Sequence, residues 1–315
     1  MADMEYLPLL KKLKLRASVL AEVRGFFAER GVMEVETPLL GTRTVTDVHL
    51  QSFEVRAHDR SQPRFFLQTS PEYAMKKLLA AGSGPIYQIS KAFRAGELSR
   101  LHNPEFTLLE WYRPGFSLVD LMDELEQFIT RLLSRQKIPR YTYGDLFVRN
   151  LNMDPHSISL EELQQRSAEL VDVSGDDLDK TDYLQLLMDR KIEPTLPDCC
   201  FVYEYPQAQA ALSVVAPNAD GIPVAQRFEL YVDGMELANG YFELTDAIEQ
   251  RSRFERDLAR RSQLGLPAIT IDEDLLSALE SGLPSCSGVA LGLDRLLMKI
   301  GRSEDIRDVI SYPLE

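Results

Sequence analysis

"FRAGELSRLHNPEFTLLEWYRPG", residues 93–115, sets three arginines, a histidine and three glutamates beside the rings of Phe106, Trp111 and Tyr112. A core strand needs apolar residues on one face only, and a plain loop has no use for so much ring surface. PIYQISKAF, residues 85–93, reads as one strand and EFTLLEWYR, residues 105–113, as a second, with residues 95–103 as a long loop between them. Along the second strand a period of two places Phe106, Leu108, Glu110 and Tyr112 on one face. If that face is buried, Glu110 needs a positive partner. The stretch reads as a binding surface for something with phosphates, a flat ring and positive charge. A solvent-facing strand with incidental polarity is the alternative.

The whole chain bounds this reading. It has 315 residues, 44% apolar and 27% charged, which suits a large globular core. A net charge of −14 repels polyanions at long range, so a nucleic-acid partner requires a local basic patch. The best patch is KKLKLR, residues 11–16, and it reads as the polar face of a helix. Cys199, Cys200 and Cys286 are odd in number and lack CxxC spacing, which fits a reducing compartment without structural zinc. No signal-peptide-like segment and no run of 18 apolar residues occurs, so a cytoplasmic protein with no membrane partner is expected.

Other stretches extend the pattern. Residues 9–30 have helical periodicity and stop at Gly31, and VMEVETPLL then alternates as a strand up to Pro38. In FFLQTSPEYAMKKLLAAG, residues 65–82, a short strand precedes a helix with Ser70 as N-cap and Pro71 in its first turn. Glu72 is then a macrodipole partner or a substrate contact. Residues 117–200 read as mostly helical and acidic, an insertion or cover, with VDVSGDDLDKTD (171–182) as a loop or helix start. In RFELYVDGMELANGYFELTD, residues 227–246, Asp233-Gly234 marks a two-residue hairpin turn that puts Glu229 and Glu236 on one face. Two close carboxylates suit magnesium (Mg2+), although a surface hairpin with scattered acids is the alternative. Asn239, Tyr241 and Glu243 fall on the opposite face unless a bulge near Asn239-Gly240 re-phases the strand. SGVALGLDRLLM, residues 287–298, is a strand running into a helix whose N-terminus, with Arg295, favours a phosphate.

Together these stretches resemble the catalytic domain of class II aminoacyl-tRNA synthetases, an α+β fold with an antiparallel sheet flanked by helices. GVMEVETPLL looks like motif 1, FRAGELSRLHNPEFTLLEWY like motif 2 and GVALGLDR like motif 3. TSPE, HNPEFT and ELANGYFELTDA are close to lysyl-tRNA synthetase. The resemblance covers nearly the whole chain, 1–315, as a single domain with the helical insertion at about 117–200. The motif 1 helix begins near residue 10, which leaves no room for the anticodon-binding OB-fold. A free-standing catalytic domain of this size carrying HNPEFTLLEWYRP is similar to the elongation factor P lysyltransferase family, whose members activate lysine, preferably (R)-β-lysine, and attach it to a lysine side chain of elongation factor P.

The resemblance implies roles. Arg94 would hold the α-phosphate and substrate carboxylate, and Arg295 would sandwich the nucleotide from the other side, making these the catalytic pair. Glu97, Arg100, His102, Asn103, Phe106, Glu236 and Gly292 would complete the ATP site, with Phe106 stacking on adenine. Glu229 and Glu236 would bind magnesium. Glu110, Tyr112 and Glu243 would surround the terminal ammonium, Glu72 the other amino group and Asn239 the carboxylate, beside Tyr241 and Ala290. A homodimer through motif 1 is expected, and tRNA is not. Two departures stand out. Lysyl-tRNA synthetases read F-R-N-E in motif 2, whereas here Phe93, Arg94, Ala95, Gly96 and Glu97 displace the acid by one residue. Ala290 stands where those enzymes have glycine, and its methyl group changes the pocket floor. Two rivals remain at this point: transfer of lysine to tRNA, and a synthetase-like regulator without catalysis.

Overall fold

The computed structural model describes residues 6–58, 63–135, 137–171 and 178–314. In chain order they form α1 (Tyr6–Ala28), β1 (Met33–Glu34), β2 (Leu40–Gly41), β3 (Glu54–Val55), β4 (Phe65–Leu67), α2 (Glu72–Ala80), β5 (Ile86–Phe93), β6 (Glu105–Pro114), α3 (Leu118–Leu133), β7 (Arg140–Thr142), α4 (Tyr143–Leu151), α5 (Leu160–Val171), α6 (Lys180–Leu187), β8 (Cys199–Pro206), β9 (Val215–Pro217), β10 (Pro223–Val232), β11 (Met235–Phe242), α7 (Ala247–Gln263), α8 (Glu273–Gly282), β12 (Cys286–Gly292) and α9 (Leu293–Gly301). The main sheet runs β1-β5-β6-β12-β11-β10-β8-β7, with β9 beside β10. It is antiparallel except for the β1–β5 and β7–β8 pairs at its two ends. A small second sheet orders β2-β4-β3.

The period of two explains how one sheet serves two purposes. One face buries Leu109, Trp111, Phe228, Leu230, Val289 and Leu291 beneath α1, α3 and α9 in the largest core. The opposite face is covered only at its ends. On one side Ile86, Tyr112 and Cys286 pack with α2 and α8. On the other side Cys200, Val202, Tyr205 and Tyr231 pack with α4 and α6. Between these two lids lies a strip of β6, β12, β11 and β10 where polar side chains gather.

Strand register orders that strip. Gln88, Glu110, Ala290, Asn239 and Glu229 form one cross-strand row. Ile86, Tyr112, Gly288, Tyr241 and Arg227 form the next. Directly paired residues share a face, so each row is a line of neighbours roughly 4.8 Å apart.

Several expectations shift. The strand after α1 is only two residues long; Val35 still donates to Tyr87 O (2.9 Å), but the segment then leaves the sheet edge before Pro38. Helix α2 begins at Glu72 with Pro71 at the cap position, one residue later than read, although Ser70 Oγ still accepts from Glu72 N at 3.0 Å. The acidic helical segment divides: α3 belongs to the main core, and α4, α5 and α6 surround the lid over β8 and β10. Residues 172–177 of VDVSGDDLDKTD lie outside the described residues. The patch at 11–16 is partly spent inside the fold. Lys12 donates to Arg307 O (3.0 Å) and Arg16 is ion-paired with buried Asp294.

Candidate active site

The hairpin between β10 and β11 decides which acids face the strip. Asp233 (φ 46°) and Gly234 (φ 68°) form the two-residue turn with both residues left-handed, as Asp-Gly favours. Glu229 and Glu236 then share the open face. Pairing runs Tyr231 with Glu236 but Leu230 with Ala238, so Leu237 is an extra residue. The re-phasing bulge therefore lies two residues before Asn239. It turns Asn239, Tyr241 and Glu243 onto the face of Glu229, opposite to their place in an unbulged strand.

At the α2 end three acids meet. Glu110 is 2% exposed and accepts from Tyr112 Oη (2.6 Å) and Ser70 Oγ (2.8 Å). Burial, with Glu72 nearby, pushes its carboxyl up to about 7. Glu243, 1% exposed, is pushed by burial up to about 8 even though Lys76 opposes the shift. Lys76, 2% exposed, lies 2.7 Å from Glu72 Oε1 and 2.6 Å from Glu243 Oε2. Burial alone would lower its ammonium, but Glu243 and Glu72 more than reverse that, and it is held charged. Glycine makes the space: a Cβ at Gly288 would lie 2.3 Å from the Tyr112 ring and 2.6 Å from Glu243 Oε1. Ala290 sits in the centre of its row, between Glu110 and Asn239.

Along β6 toward motif 2, the Arg94 guanidinium lies over the Phe106 ring, 5.0 Å from its centroid, with Glu97 at 3.8 Å. Arg295, in the first turn of α9, donates to Glu236 O (2.7 Å) and to His102 Nε2 (2.7 Å). His102 Nε2 therefore accepts, the ring proton sits on Nδ1, and Ser99 Oγ receives it at 2.9 Å. Burial and then the Arg295 charge hold His102 below its usual range, which keeps it neutral. Asp294 ties the three motifs together: it accepts from Thr107 N of β6 (2.6 Å) and pairs with Arg16 of α1.

Two residues stand apart from this cluster. Arg100 reaches the carbonyl of Glu304 (2.7 Å) and is largely exposed. Asn103 is buried and used structurally, donating to Glu105 O and accepting from Leu314 N. Gly292 caps α9 next to Arg295.

Farther along the row, Glu229 is saturated. Oε1 accepts from Arg227 and Asn239, and Oε2 accepts from Tyr205 (2.7 Å) and Tyr231 (2.6 Å). Arg227 is wedged between the rings of Tyr205 and Tyr241. Glu236 is the more open acid, with 41% of its side chain exposed and Arg295 at 3.8 Å. Among the described residues no three His, Cys, Asp or Glu side chains form a metal-ligand cluster. The donor set fits a cation held by Glu236 and phosphate oxygens, with Glu229 as a neighbouring charge that ligates only by giving up a present partner.

Sequence reasoning does not single out Lys76, Arg227 or Asp294, and it reads Ser70 as a helix cap without its bond to Glu110. Lys76 stands four residues after Glu72, the spacing of an ordinary surface ion pair, and nothing local marks it as buried. Among the described residues no helix is long and apolar enough to cross a membrane.

The family described as tRNA synthetases class II (D, K and N) matches residues 2–315. A protein of Hamiltonella defensa named elongation factor P--(R)-beta-lysine ligase is 45% identical over 309 residues, covering 95% of this chain and 94% of that one. Proteins of the same name from Salmonella paratyphi B (44% over 308 residues) and Yersinia enterocolitica (45% over 306) cover the same shares. With its three motifs joined through Asp294 and its polar strip on one face of an antiparallel sheet, the chain belongs to the class II tRNA synthetases of the D, K and N group.

Proposed function

We propose that this chain activates lysine, (R)-β-lysine in particular, as its adenylate and joins it to a lysine side chain of elongation factor P. The relatives' names supply the substrates. The observation that carries the reading is the strip itself: buried acids at one end, and Arg94 and His102 of the β5–β6 loop with Arg295 of α9 at the other.

In the first step the substrate carboxylate attacks the α-phosphorus of ATP. The bond to the β-phosphate oxygen breaks and pyrophosphate leaves. Arg94 and Arg295 spread the developing negative charge and align the reactants, which is most of what this chemistry asks of a protein. Phe106 stacks the base, once the Arg94 guanidinium swings from its ring to the phosphate. Glu97 borders this site beside Arg94, and Arg100 would reach the outer phosphates only by releasing Glu304 O. Glu110, Tyr112 and Glu243 hold the terminal ammonium, Glu72 the second amine, and Asn239 with Tyr241 the carboxylate end. Magnesium, when bound, would neutralise phosphate charge, held directly by Glu236 with Glu229 alongside. In the second step the neutral amine of the acceptor attacks the adenylate carbonyl. The amide forms, AMP leaves, and the amine proton passes to solvent or phosphate.

A net charge of −14 supports a protein acceptor over a polyphosphate one. Exposed Met33 on β1 and Leu39 and Leu40 at β2 support a homodimer through motif 1. The test is ATP–pyrophosphate exchange with α-lysine and (R)-β-lysine, followed by transfer of labelled amino acid to purified elongation factor P. Exchange and transfer, stronger with the β-isomer, are expected. No exchange with either overturns the activity, and exchange without transfer overturns the acceptor.

A further inference from the structure

The ammonium pocket already contains an ammonium. Lys76 reaches from α2 into the pocket and bridges Glu72 and Glu243, two of the three acids assigned to the substrate's amines. Its contact is one-sided. It takes Oε2 of Glu243, while Oε1 is left over Gly288, beside the Tyr112 ring. It takes Oε1 of Glu72 and so tethers the first turn of α2 to the strand end.

We propose that Lys76 is a specificity-determining residue: a built-in cation that orients Glu72 and Glu243 and cancels one of the pocket's three negative charges. This role rests on the ammonium site proposed above. Once the substrate's cations draw all three acids into their ionised form, Glu72, Glu110 and Glu243 with Lys76 leave two net negative charges, which match the two ammonium groups of a diamino acid. Without Lys76, three acids face two cations in a dry site, and one of them takes up a proton or stays unpaired. The lysine itself cannot leave for solvent without breaking two buried ion pairs, so it acts on the substrate through the acids it holds.

The groups facing this cation are Glu72 on α2, Glu110 on β6, Glu243 just past β11 and Cys286 on β12. The test is Lys76→Gln in the full chain, assayed by ATP–pyrophosphate exchange with (R)-β-lysine across pH 6 to 9, beside Glu110→Gln. The expected result is a fall of about 100-fold in kcat/KM for the amino acid, with the KM for ATP within about twofold. The acid limb of the amino-acid profile should move up by about one unit, because a positive charge beside Glu243 is gone. An unchanged amino-acid KM, or equal losses for amino acid and ATP, overturns the proposal. If Lys76→Gln does not fold, Lys76→Arg decides. Its larger cation displaces Glu243, so amino-acid kcat/KM should fall at least about tenfold while ATP binding by calorimetry stays; an unaltered value overturns the proposal. Failure of the site assignment is separate: it is signalled by Glu110→Gln leaving the amino-acid KM untouched, whatever Lys76 variants do.

Discussion

Adding one methyl group to Gly288 should damage amino-acid recognition while sparing ATP. Its Cβ would stand 2.3 and 2.4 Å from the Tyr112 ring and 2.6 Å from Glu243 Oε1. Carbon–carbon contacts settle near 3.5–4.0 Å, so the ring must retreat by about 1 Å or more. Tyr112 is 2% exposed and packed among Met75, Leu79 and Ile86, so it has no slack to use. Overpacking of this kind costs roughly 1–3 kcal/mol of stability. A retreat of that size also lengthens the 2.6 Å bond to Glu110 beyond hydrogen-bond range. Loss of a hydrogen bond to a charged group is worth about 1.5–3 kcal/mol, or roughly 10- to 100-fold in kcat/KM for the amino acid. Gly240→Ala is the matched control. Its Cβ would meet the Phe228 ring at 2.4 Å, but on the buried face. It should lower Tm by about 2–6 °C and leave amino-acid kcat/KM near wild type. Exchange kinetics and thermal melts on both variants decide. Equal amino-acid losses in the two, or none in Gly288→Ala, would refute the assignment of the strip's two faces.

Other outcomes follow from the same geometry. Glu110→Gln keeps one acceptor oxygen for two donors, Tyr112 and Ser70, and should weaken amino-acid use about 100-fold with little change in ATP affinity, read by exchange at saturating ATP. Glu110 and Glu243 lie above the ordinary carboxylate range at about 7 and 8, so kcat/KM for the amino acid should climb with pH through that window. Because the unfolded chain releases these protons near 4.5, their contribution to stability should fall as pH rises from there to about 8, and denaturant titrations of wild type against Glu110→Gln would show it. Arg295→Ala removes the partner of His102 and Glu236, and should raise the KM for ATP about tenfold or more while His102 titrates at higher pH by NMR. Asp294→Asn weakens the link among α1, β6 and α9 and should cost about 2–3 kcal/mol in denaturant unfolding.

Much of this site was legible because it follows local periodicity. The strands around residues 85–93 and 105–113, the Asp-Gly turn and the strand-to-helix step at Gly292 all obey short-range rules. What escaped were relations made at long range. Lys76 reads as the partner of Glu72 four residues away, and only the fold brings Glu243 across from β11 to share it. Arg227 looks like a surface arginine until Tyr205, from another strand, stacks on it. Glu229 reads as a free metal ligand, yet its oxygens are taken by its own β10 neighbours Arg227 and Tyr231 and by Tyr205 and Asn239 from β8 and β11, which only the sheet brings across. Arg100 and Asn103 carried roles by motif position alone, and in the fold they serve the C-terminal segment and the loop backbone.

The bulge at Leu237 is what allows one hairpin to serve both ends of the strip. A regular β11 starting from Glu236 on the open face would send Asn239, Tyr241 and Glu243 into the apolar core beneath α3. Three polar side chains there, one of them a carboxylate, would cost several kcal/mol without partners. Inserting Leu237 avoids that cost, since Leu237 and Ala238 both turn to the core, where they are 2% exposed. The next polar residues then line up with Glu229, Ala290 and Gly288. Glu236 and Glu243 thus sit seven residues apart on the open face, one near the start of β11 and one just past its end, with a fixed span between them. That span is set by hydrogen-bonded backbone, and it changes only if the register does. A rigid spacing of this kind favours one placement of reacting carboxylate and phosphate over many, which is the form of catalysis open to a protein that supplies no covalent group of its own.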